Sequence, residues 1–439
     1  MPEWFDELAE FLRIPSVSAD AAHQADVRRA GEWVCALIRG AGGKAELVDF
    51  DGQPLAVGEI RASSGADDAR TVLCYGHFDV QPPDPLELWE SAPFEPEIRG
   101  EYLYGRGVAD DKGQLYLMLA AARELASAGT LPVNVRFVCD GEEETGGQSV
   151  LGYLAQDDRG ADAAVIFDSG MIARDVPAFN LATRGLVYFH LILRSGERDL
   201  HSGHYGGAAL NAVTALCELL ASVSGDHGRL AEPLRAGITA PTAEELDGWA
   251  ALPAGAEELS LAAVAPKDAT AARDYYLRTF AEPALDVNGI IGGSPTLEKT
   301  VLPVKAEANV SIRLAPGQDP ETIAEAFTEL LRAATPDGAS LDIELMSRAD
   351  PGIVDPGSRA VSLGQDAFER ALGVRPVLTR SGGTLPIVAA LSGHGIPTII
   401  TGFSLPDANI HSPNERLLVE YVERGIASAR ALFEEFAGL

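Results

Sequence analysis

The stretch "TVLCYGHFDVQPP", Thr71 to Pro83, joins a short apolar run to polar side chains at the point where the chain turns. Val72 to Tyr75 predicts a buried strand, which stops at Gly76. His77 and Asp79 then stand two residues apart, just before two prolines. Two interpretations compete: a solvated loop with a chance histidine, or a metal ligand with a carboxylate that orients it. The rest of the chain must decide between them.

Strands of this kind alternate with helices over residues 1–184. The apolar segments "VNVRFVCD" and "AAVIFDSG" follow "TVLCYG", and the helical segments "DVRRAGEWVCALIRGAG" and "QLYLMLAAARELASAG" lie among them. This alternation predicts an α/β layer with a mainly parallel central sheet. The same character returns near the C-terminus, so we expect residues 1–184 and 352–439 to form one α/β domain.

Residues 185–351 show a different pattern. In "LVYFHLILRSG" four apolar side chains share one face of a strand, as in a sheet covered on one side: Val187, Phe189, Leu191 and Leu193. A helix, "ALNAVTALCELLASV", follows, and "AEANVSIRLAP", "DPETIAEAFTELLRAA" and "SLDIELMS" predict strand, helix and strand. We therefore expect an inserted α+β open-faced sandwich, with an irregular, partly helical elaboration over residues 223–285.

The charge of the chain limits its partners. The 439 residues include 65 acidic and 34 basic side chains, for a net charge of −31. This balance argues against nucleic acid and anionic membrane surfaces as partners. No apolar stretch reaches the roughly 18 residues that a membrane span needs, and the start, "MPEWFDELAEFLRIPSVS", lacks the regions of a signal peptide.

The cysteines indicate a reducing compartment. Cys35, Cys74, Cys139 and Cys217 lie in apolar patterns, and none forms a close CxxC pair. This usage is typical of buried free thiols rather than disulfides. We therefore expect a cytoplasmic protein.

Acids and histidines recur where predicted strands end. They are His77 and Asp79, Asp110 and Asp111 in "LYGRGVADDKGQ", Glu142, Glu143 and Glu144 in "FVCDGEEETGG", Asp168 in "VIFDSG", and His411 in "PDANIHSPNE". A single such residue is more often a turn residue, a helix cap or a solvated side chain. Together they fit the edge of an open α/β sheet where ligands bind. Two histidines and three carboxylates suit zinc, manganese or cobalt, and a bridging carboxylate allows two ions.

With these residues in place, the sequence resembles the co-catalytic zinc peptidases that include carnosinase, cytosolic non-specific dipeptidase, carboxypeptidase G, aminoacylase and succinyl-diaminopimelate desuccinylase. Seven motifs match in order: "GHFDVQP", "GRGVADDKGQ", "EEETGG", "DLHSGHYGG", "SIRL", "RSGGTLPI" and "NIHSPNE". The longer forms "YGHFDVQPP…W…PFEP" and "LHSGHYGG" point to the dipeptidase branch.

The resemblance implies a ligand set for two divalent ions, with zinc expected and manganese or cobalt possible. His77 and Asp168 would bind one ion, Glu144 and His411 the other, and Asp110 both. This assignment makes the histidine of the opening stretch a metal ligand.

The resemblance also implies two residues that act beside the metals. Asp79 would orient and polarise His77, and Glu143 would be the general base that takes a proton from the attacking water and gives it to the leaving amine. The family places base and ligand just before a small residue and glycine, which leaves Glu142 without a role. It also has a cis peptide bond after the bridging aspartate, here between Asp110 and Asp111.

In the inserted domain, the resemblance implies substrate contacts. Without it, His201 would be taken as a capping or surface histidine and Arg313 as a surface charge. In dipeptidase relatives the matching histidine reaches the active site of the partner subunit, so His201 would help to hold the oxyanion of the tetrahedral intermediate. Arg313 would bind the substrate's C-terminal carboxylate. Thr384, Gly382 and Gly383 would line the carboxylate pocket.

Two positions depart from the dipeptidase pattern. "SGM" follows strand end Asp168, where an aromatic residue is common two positions on. Thr300 stands where an asparagine often helps the oxyanion site. Both changes concern substrate contacts rather than metal ligands, so they bear on specificity and not on the chemistry.

The resemblance thus implies a homodimeric metallopeptidase, with residues 1–184 and 352–439 as its catalytic metal-binding domain and residues 185–351 as its lid and dimerisation domain. Its substrates would be dipeptides or similar short amides with a free C-terminal carboxylate. An N-acyl amino acid deacylase or a glutamate-type carboxypeptidase with the same metal site is the alternative. An inactive peptide- or metal-binding relative would be expected to lack the base or a ligand, and this chain has Glu143 and all five ligands.

Overall fold

The computed structural model describes residues 2–439 except 224, 226–228 and 384. The chain divides into two compact units. The first comprises Met1–Leu181, Val354–Thr379 and Ile387–Leu439, and the second comprises Ala182–Ile353 and Arg380–Pro386. The second unit therefore interrupts the first in sequence.

The elements are numbered in chain order. The α-helices of the described residues are α1 (Phe5–Leu12), α2 (Gln24–Gly40), α3 (Lys112–Ser127), α4 (Gln148–Leu154), α5 (Ser202–Tyr205), α6 (Ala212–Ser222), α7 (Ala243–Ala250), α8 (Gly255–Leu261), α9 (Pro320–Ala334), α10 (Arg359–Leu372), α11 (Pro386–Gly393) and α12 (Val419–Glu435). The strands are β1 (Lys44–Val48), β2 (Leu55–Ile60), β3 (Thr71–His77), β4 (Glu97–Arg99), β5 (Tyr102–Tyr104), β6 (Asn134–Asp140), β7 (Ala163–Phe167), β8 (Ala178–Asn180), β9 (Gly185–Arg194), β10 (Leu200–His201), β11 (Ala284–Ile291), β12 (Val301–Leu302), β13 (Lys305–Leu314), β14 (Ser340–Ala349), β15 (Val377–Thr379), β16 (Thr398–Thr401) and β17 (Arg416–Leu418).

An eight-stranded sheet forms the centre of the first unit, in the order β1-β2-β6-β3-β7-β16-β8-β15. Its middle is parallel, because β3 runs parallel to β6 and β7, and β7 runs parallel to β16. Every residue of β6 is buried, as expected for a strand covered on both faces. The predicted α/β fold with a mainly parallel central sheet is confirmed.

Helices cover this sheet through apolar faces. In α2 the buried side chains Val27, Val34 and Ile38 recur at helical spacing. Helix α3 is buried on nearly all sides, and α12 packs closely against it. Gly425 permits this approach, because a Cβ atom at that position would collide with Leu117. Helix α3 begins directly after Asp111, so its N-terminus follows the loop that contains Asp110.

The second unit is an antiparallel sheet with helices on one face. Its strand order is β11-β13-β9-β14, and the apolar core lies under α6 and α9. The four side chains predicted to share one face of β9 are at most 1% exposed: Val187, Phe189, Leu191 and Leu193. Burying an aliphatic or phenyl side chain of this kind contributes roughly 1.5–3 kcal/mol. Helix α9 begins with Asp319 as its N-cap, whose carboxylate accepts from Thr322 N at 2.7 Å.

The segment Arg380–Pro386 groups with the second unit, whereas the sequence pattern placed all residues after 351 in the α/β domain. The reason is a buried ion pair between Arg380 and Glu245, with Nε and Oε1 2.6 Å apart and both side chains at most 5% exposed. The guanidinium also donates to the Thr239 carbonyl at 3.0 Å. These contacts join positions 135 residues apart in sequence, which no local pattern reveals.

Three of the four cysteines are buried free thiols as predicted, but Cys217 is exposed. Cys217 lies in α6 next to Leu216, and the buried positions of that helix leave it on the outer face. Within the described ranges, no helix is long and apolar enough to cross a membrane.

Candidate metal centre

Three of the five predicted ligands lie at the carboxyl ends of parallel strands, at one edge of the central sheet. His77 is the last residue of β3, and Asp168 directly follows β7. The acidic turn that contains Glu143 and Glu144 comes just after β6. Because β3 pairs in parallel with both β6 and β7, the three strand ends lie together.

A first group of possible metal ligands consists of His77, Asp110 and Asp168. One ligand atom from each lies within 4.8 Å of the others. The Nε2 atom of His77 is 3.0 Å from Asp110 Oδ1 and 3.8 Å from Asp168 Oδ1. A nitrogen and two carboxylate oxygens thus converge on one point at the sheet edge.

A second group consists of Asp110, Glu144 and His411. His411 Nε2 is 2.8 Å from Asp110 Oδ2 and 3.2 Å from Glu144 Oε2. Asp110 belongs to both groups and presents one oxygen to each histidine. This is the geometry that a carboxylate bridging two cations requires.

The residues present fit a pair of divalent cations. Glu144 Oε1 is buried and has no hydrogen-bond partner among the described residues, so a buried acceptor is left for a cation. Its other oxygen accepts from Gln81 Nε2 at 2.8 Å, which fixes the direction of the carboxylate. Imidazole and carboxylate donors in this mixture suit zinc, manganese or cobalt.

Asp79 holds two parts of the site at once. Its backbone carbonyl oxygen is 3.1 Å and its Oδ1 is 3.3 Å from His77 Nδ1, which leaves Nε2 to face the ligand group. Its carboxylate also accepts from the backbone N–H groups of Glu143 and Glu144, each at 3.2 Å. Asp79 is fully buried. One carboxylate therefore orients a candidate ligand and anchors the acidic turn.

Glu143 lies at the start of a short 3₁₀ helix, Glu143–Thr145. Burial raises the pKa of its carboxyl to about 9, and the nearby Asp168 carboxylate acts in the same direction, although His77 opposes it. Glu143 is in neither ligand group. It interacts electrostatically with His77 and Asp168 of the first group.

The charges of the site act strongly on one another. The hydrogen bonds of His411 to Asp110 and Glu144 raise its pKa to about 10. Burial lowers the pKa of His77, but the hydrogen bonds to Asp110 and Asp79 outweigh burial, and the net pKa is well above the usual value. Burial raises the pKa of Asp168 to about 7. Carboxylates therefore outnumber the cationic groups that compensate them here.

The surplus acids of the two motifs have structural partners. Glu142 accepts from Gln53 N at 2.8 Å and from Ser149 N at 2.7 Å, so it braces the acidic turn. Asp111 accepts from the backbone N–H of His77 at 3.0 Å. The peptide bond between Asp110 and Asp111 is cis, as predicted.

The remaining predicted site residues belong to the second unit. His201 ends β10 and is exposed, and its Nδ1 accepts from Gly203 N at 3.0 Å. Its ring stacks on that of His204 with the centroids 4.6 Å apart. Because Nδ1 accepts a hydrogen bond, the ring proton of the neutral imidazole lies on Nε2, which makes Nε2 a donor.

Arg313 lies in β13 opposite Leu186 of β9. Arg184, two residues before Leu186, is buried near it, and burial together with Arg313 lowers the pKa of Arg184 to about 10. The Arg184 backbone N–H donates to the Gly383 carbonyl at 2.9 Å. Gly382 stands next in the same exposed loop, and Thr384 lies outside the described residues.

Most of the chain matches the model of a known protein family. Residues 73–435 match the model of the peptidase family M20/M25/M40. The chain belongs to this family. The predicted peptidase class is therefore confirmed, and the two ligand groups lie in the matched part of this M20/M25/M40 chain.

Several known proteins align with this chain over most of their length. The cysteinylglycine-S-conjugate dipeptidase of Corynebacterium striatum is 28% identical over 450 residues, which cover 98% of this chain and 94% of the relative. The human β-Ala-His dipeptidase is 28% identical, with 98% and 86% covered. The crystal structure of an M20 family metallo-carboxypeptidase from Sulfolobus solfataricus has a TM-score of 0.87 at 25% identity, with 100% of both chains covered.

Proposed function

We propose that this protein hydrolyses the amide bond of dipeptides or short peptides that have a free C-terminal carboxylate, with two divalent ions in its metal centre. The observation that carries the proposal is the pair of ligand groups that share Asp110, with Glu143 beside them. Relatives named as dipeptidases, which align over most of their length, support the substrate class.

The chain supplies both the ligands for the ions and the residue that transfers the proton. Two bound ions would act as Lewis acids that polarise the scissile carbonyl and lower the pKa of the attacking water. Asp79 keeps His77 in the orientation that leaves Nε2 for a metal. Glu143 takes the proton from the attacking water and then gives it to the leaving amine.

Substrate contacts are proposed for the second unit. Arg313 would bind the C-terminal carboxylate with its planar fork of donors, and Gly382, Gly383 and Thr384 would line the carboxylate pocket. The Nε2 donor of the partner subunit's His201 would stabilise the oxyanion in a homodimer formed through the second unit. This makes the second unit both a dimerisation domain and a lid. The hydrogen bond from Gly203 N to His201 Nδ1 supports the donor role of Nε2.

A metallo-carboxypeptidase is the second candidate, favoured by the similarity to the Sulfolobus solfataricus structure. A carboxypeptidase would use the same metal centre and the same grip on a C-terminal carboxylate. It would differ by accepting an acylated or longer N-terminal side. An N-acyl amino acid deacylase differs from the dipeptidase in the same way.

We propose zinc as the metal and the cytoplasm as the location. Zinc fits the mixture of imidazole and carboxylate ligands, with manganese and cobalt as the alternatives. The free cysteines of the structure support a reducing compartment.

Parallel assays on one dipeptide test the substrate class. The zinc- or manganese-loaded protein is given the dipeptide free, N-acetylated and C-amidated, with Glu143→Gln as the control for contaminating peptidases. A dipeptidase cleaves the free form only. Preference for the N-acetylated form would move the protein to the carboxypeptidases or deacylases. Cleavage of none of the three would refute the proposal.

A further inference from the structure

A fully buried glutamate connects the loops that carry ligands of both groups. Glu415 follows His411 by four residues in the motif "NIHSPNE". It is 0% exposed, and it is not in either ligand group. It directly precedes β17, which pairs with β5, the strand before the loop of Asp110.

Both oxygens of Glu415 are fully used. Oε1 accepts from the backbone N–H groups of Ala109 and Asp110, at 2.8 and 3.1 Å. Oε2 accepts from Gly107 N at 3.0 Å and from Arg106 Nη1 at 2.7 Å. Four donors from the segment 106–110 therefore bind one carboxylate. One of them is the backbone N–H of Asp110, the residue shared by the two ligand groups.

Arg106 extends the connection to two other loops. It is 1% exposed, and its Nη2 donates to the carbonyl of Ser412 at 3.4 Å and to that of Pro82 at 3.3 Å. Ser412 is the neighbour of His411, and Pro82 lies in the turn that follows His77 and Asp79. The ion pair of Arg106 and Glu415 thus touches the segments that hold three of the five candidate ligands.

We propose that Glu415 is a positioning residue that fixes the Asp110 carboxylate between the two metal positions. Such a role is required because Asp110 must serve two histidines at once, 3.0 Å from His77 and 2.8 Å from His411. Small shifts of its backbone would improve one contact and lose the other. This inference rests on the two-ion site of the proposed function, but not on the identity of the substrate.

Glu415→Gln is the sharpest change, because it keeps the shape and removes the charge. A glutamine has one oxygen acceptor, so its NH₂ group must face either Ala109 and Asp110 or Gly107 and Arg106, which are all donors. The charge that balances Arg106 is also lost. Glu415→Asp keeps the charge, but its carboxylate is one methylene shorter and cannot span all four donors.

The matched control is Asp157→Asn. Asp157 forms a buried ion pair with Arg136 in the same unit, with side chains 6% and 5% exposed. Arg136 lies four residues before the end of β6, which is about 13 Å along the strand at 3.3 Å per residue. Asp157→Asn therefore removes a comparable buried ion pair at a distance from the loops that carry the ligands.

The experiment titrates metal-free protein with Co²⁺ and follows its visible absorption at 25 °C, together with the melting temperature. We expect the wild-type chain to bind two Co²⁺ ions. Glu415→Gln should bind them about 10- to 100-fold more weakly and with an altered spectrum, the range typical for residues that orient metal ligands. Glu415→Asp should fall between the two. Asp157→Asn should melt earlier but bind cobalt as the wild type does.

The outcomes separate this inference from the proposed function. A wild-type chain that binds fewer than two Co²⁺ ions would contradict the two-ion site itself. Two ions in the wild type, with unchanged affinity and spectrum in Glu415→Gln, would overturn the positioning role alone. Should Glu415→Gln not fold, Glu415→Asp decides on the same criterion: weakened cobalt binding supports the role and wild-type affinity overturns it.

Discussion

The candidate metal centre of the first unit and the residues of the second unit that we propose to bind substrate are built in different ways. In the metal centre each side chain is buried or held by a neighbour, as Asp79 holds His77 and Glu415 holds the Asp110 loop. His201 and the loop of Gly382 are exposed, with few side-chain contacts. The candidate ligands are thus held in place within one unit, whereas the groups proposed for substrate recognition at His201 and Gly382 remain accessible.

The largest expected effect is at the base. Glu143→Gln should lower kcat by roughly 10²–10⁴-fold, the usual contribution of a general acid–base group, while both metal ions stay bound. Steady-state kinetics with elemental analysis checks both parts. Glu10→Gln, at an exposed glutamate of α1, is the control and should keep nearly normal turnover. Near-normal turnover of Glu143→Gln would assign the base elsewhere.

The second effect tests whether the exposed region completes the site. His201→Ala should lower kcat by roughly 10²–10³-fold, as the loss of one oxyanion donor does. Mixed dimers of His201→Ala and Glu143→Gln should recover part of the activity, since one of the two sites then has both groups. His190→Ala, on the same unit, should not matter. Absence of recovery in verified mixed dimers would rule out a shared site.

The third effect concerns substrate binding. Arg313→Met should raise KM for a free dipeptide by about 10- to 100-fold, because a hydrogen-bonded charge pair contributes about 1.5–3 kcal/mol. Poor cleavage of the C-amidated dipeptide should change little, since it has no carboxylate to lose. Arg348→Met, on the neighbouring part of the same sheet, is the control. An equal loss on both substrates would argue against carboxylate recognition by Arg313.

The smallest effect is the pH dependence of metal binding, which tests the protonation of His411. His411 has a pKa of about 10 in the metal-free protein, above its usual 6.5, so it holds a proton throughout the neutral range. A metal ion binds the neutral imidazole, so its binding must displace this proton. The affinity of the protein for the metal should therefore fall as pH falls, by about tenfold per pH unit for each proton displaced. Calorimetry in two buffers of different ionisation enthalpy counts the protons released. His394→Gln, at an exposed histidine, should release as many as the wild type; a pH-independent affinity would contradict the assignment.

Local patterns predicted much of the fold, and the family resemblance implied the residues of the candidate metal centre. The apolar run of β3 and the alternation in β9 are set by neighbouring residues, and so is the acidic turn after β6. The contacts of Glu415 could not be predicted, because its partners lie more than 300 residues away. The same holds for Arg380, whose ion pair with Glu245 takes its segment into the second unit. Strands β1 and β2, with mixed burial, gave no clear pattern.

Asp110 should be shared by two metal ions, because it belongs to both ligand groups. The most direct measurement is the number of zinc ions bound per chain, by elemental analysis after dialysis, for the wild type and for Asp110→Asn. The account predicts two ions in the wild type and a loss of at least one in the variant, because both ligand groups contain Asp110. A wild-type chain with one ion, or a variant that keeps two, would contradict it.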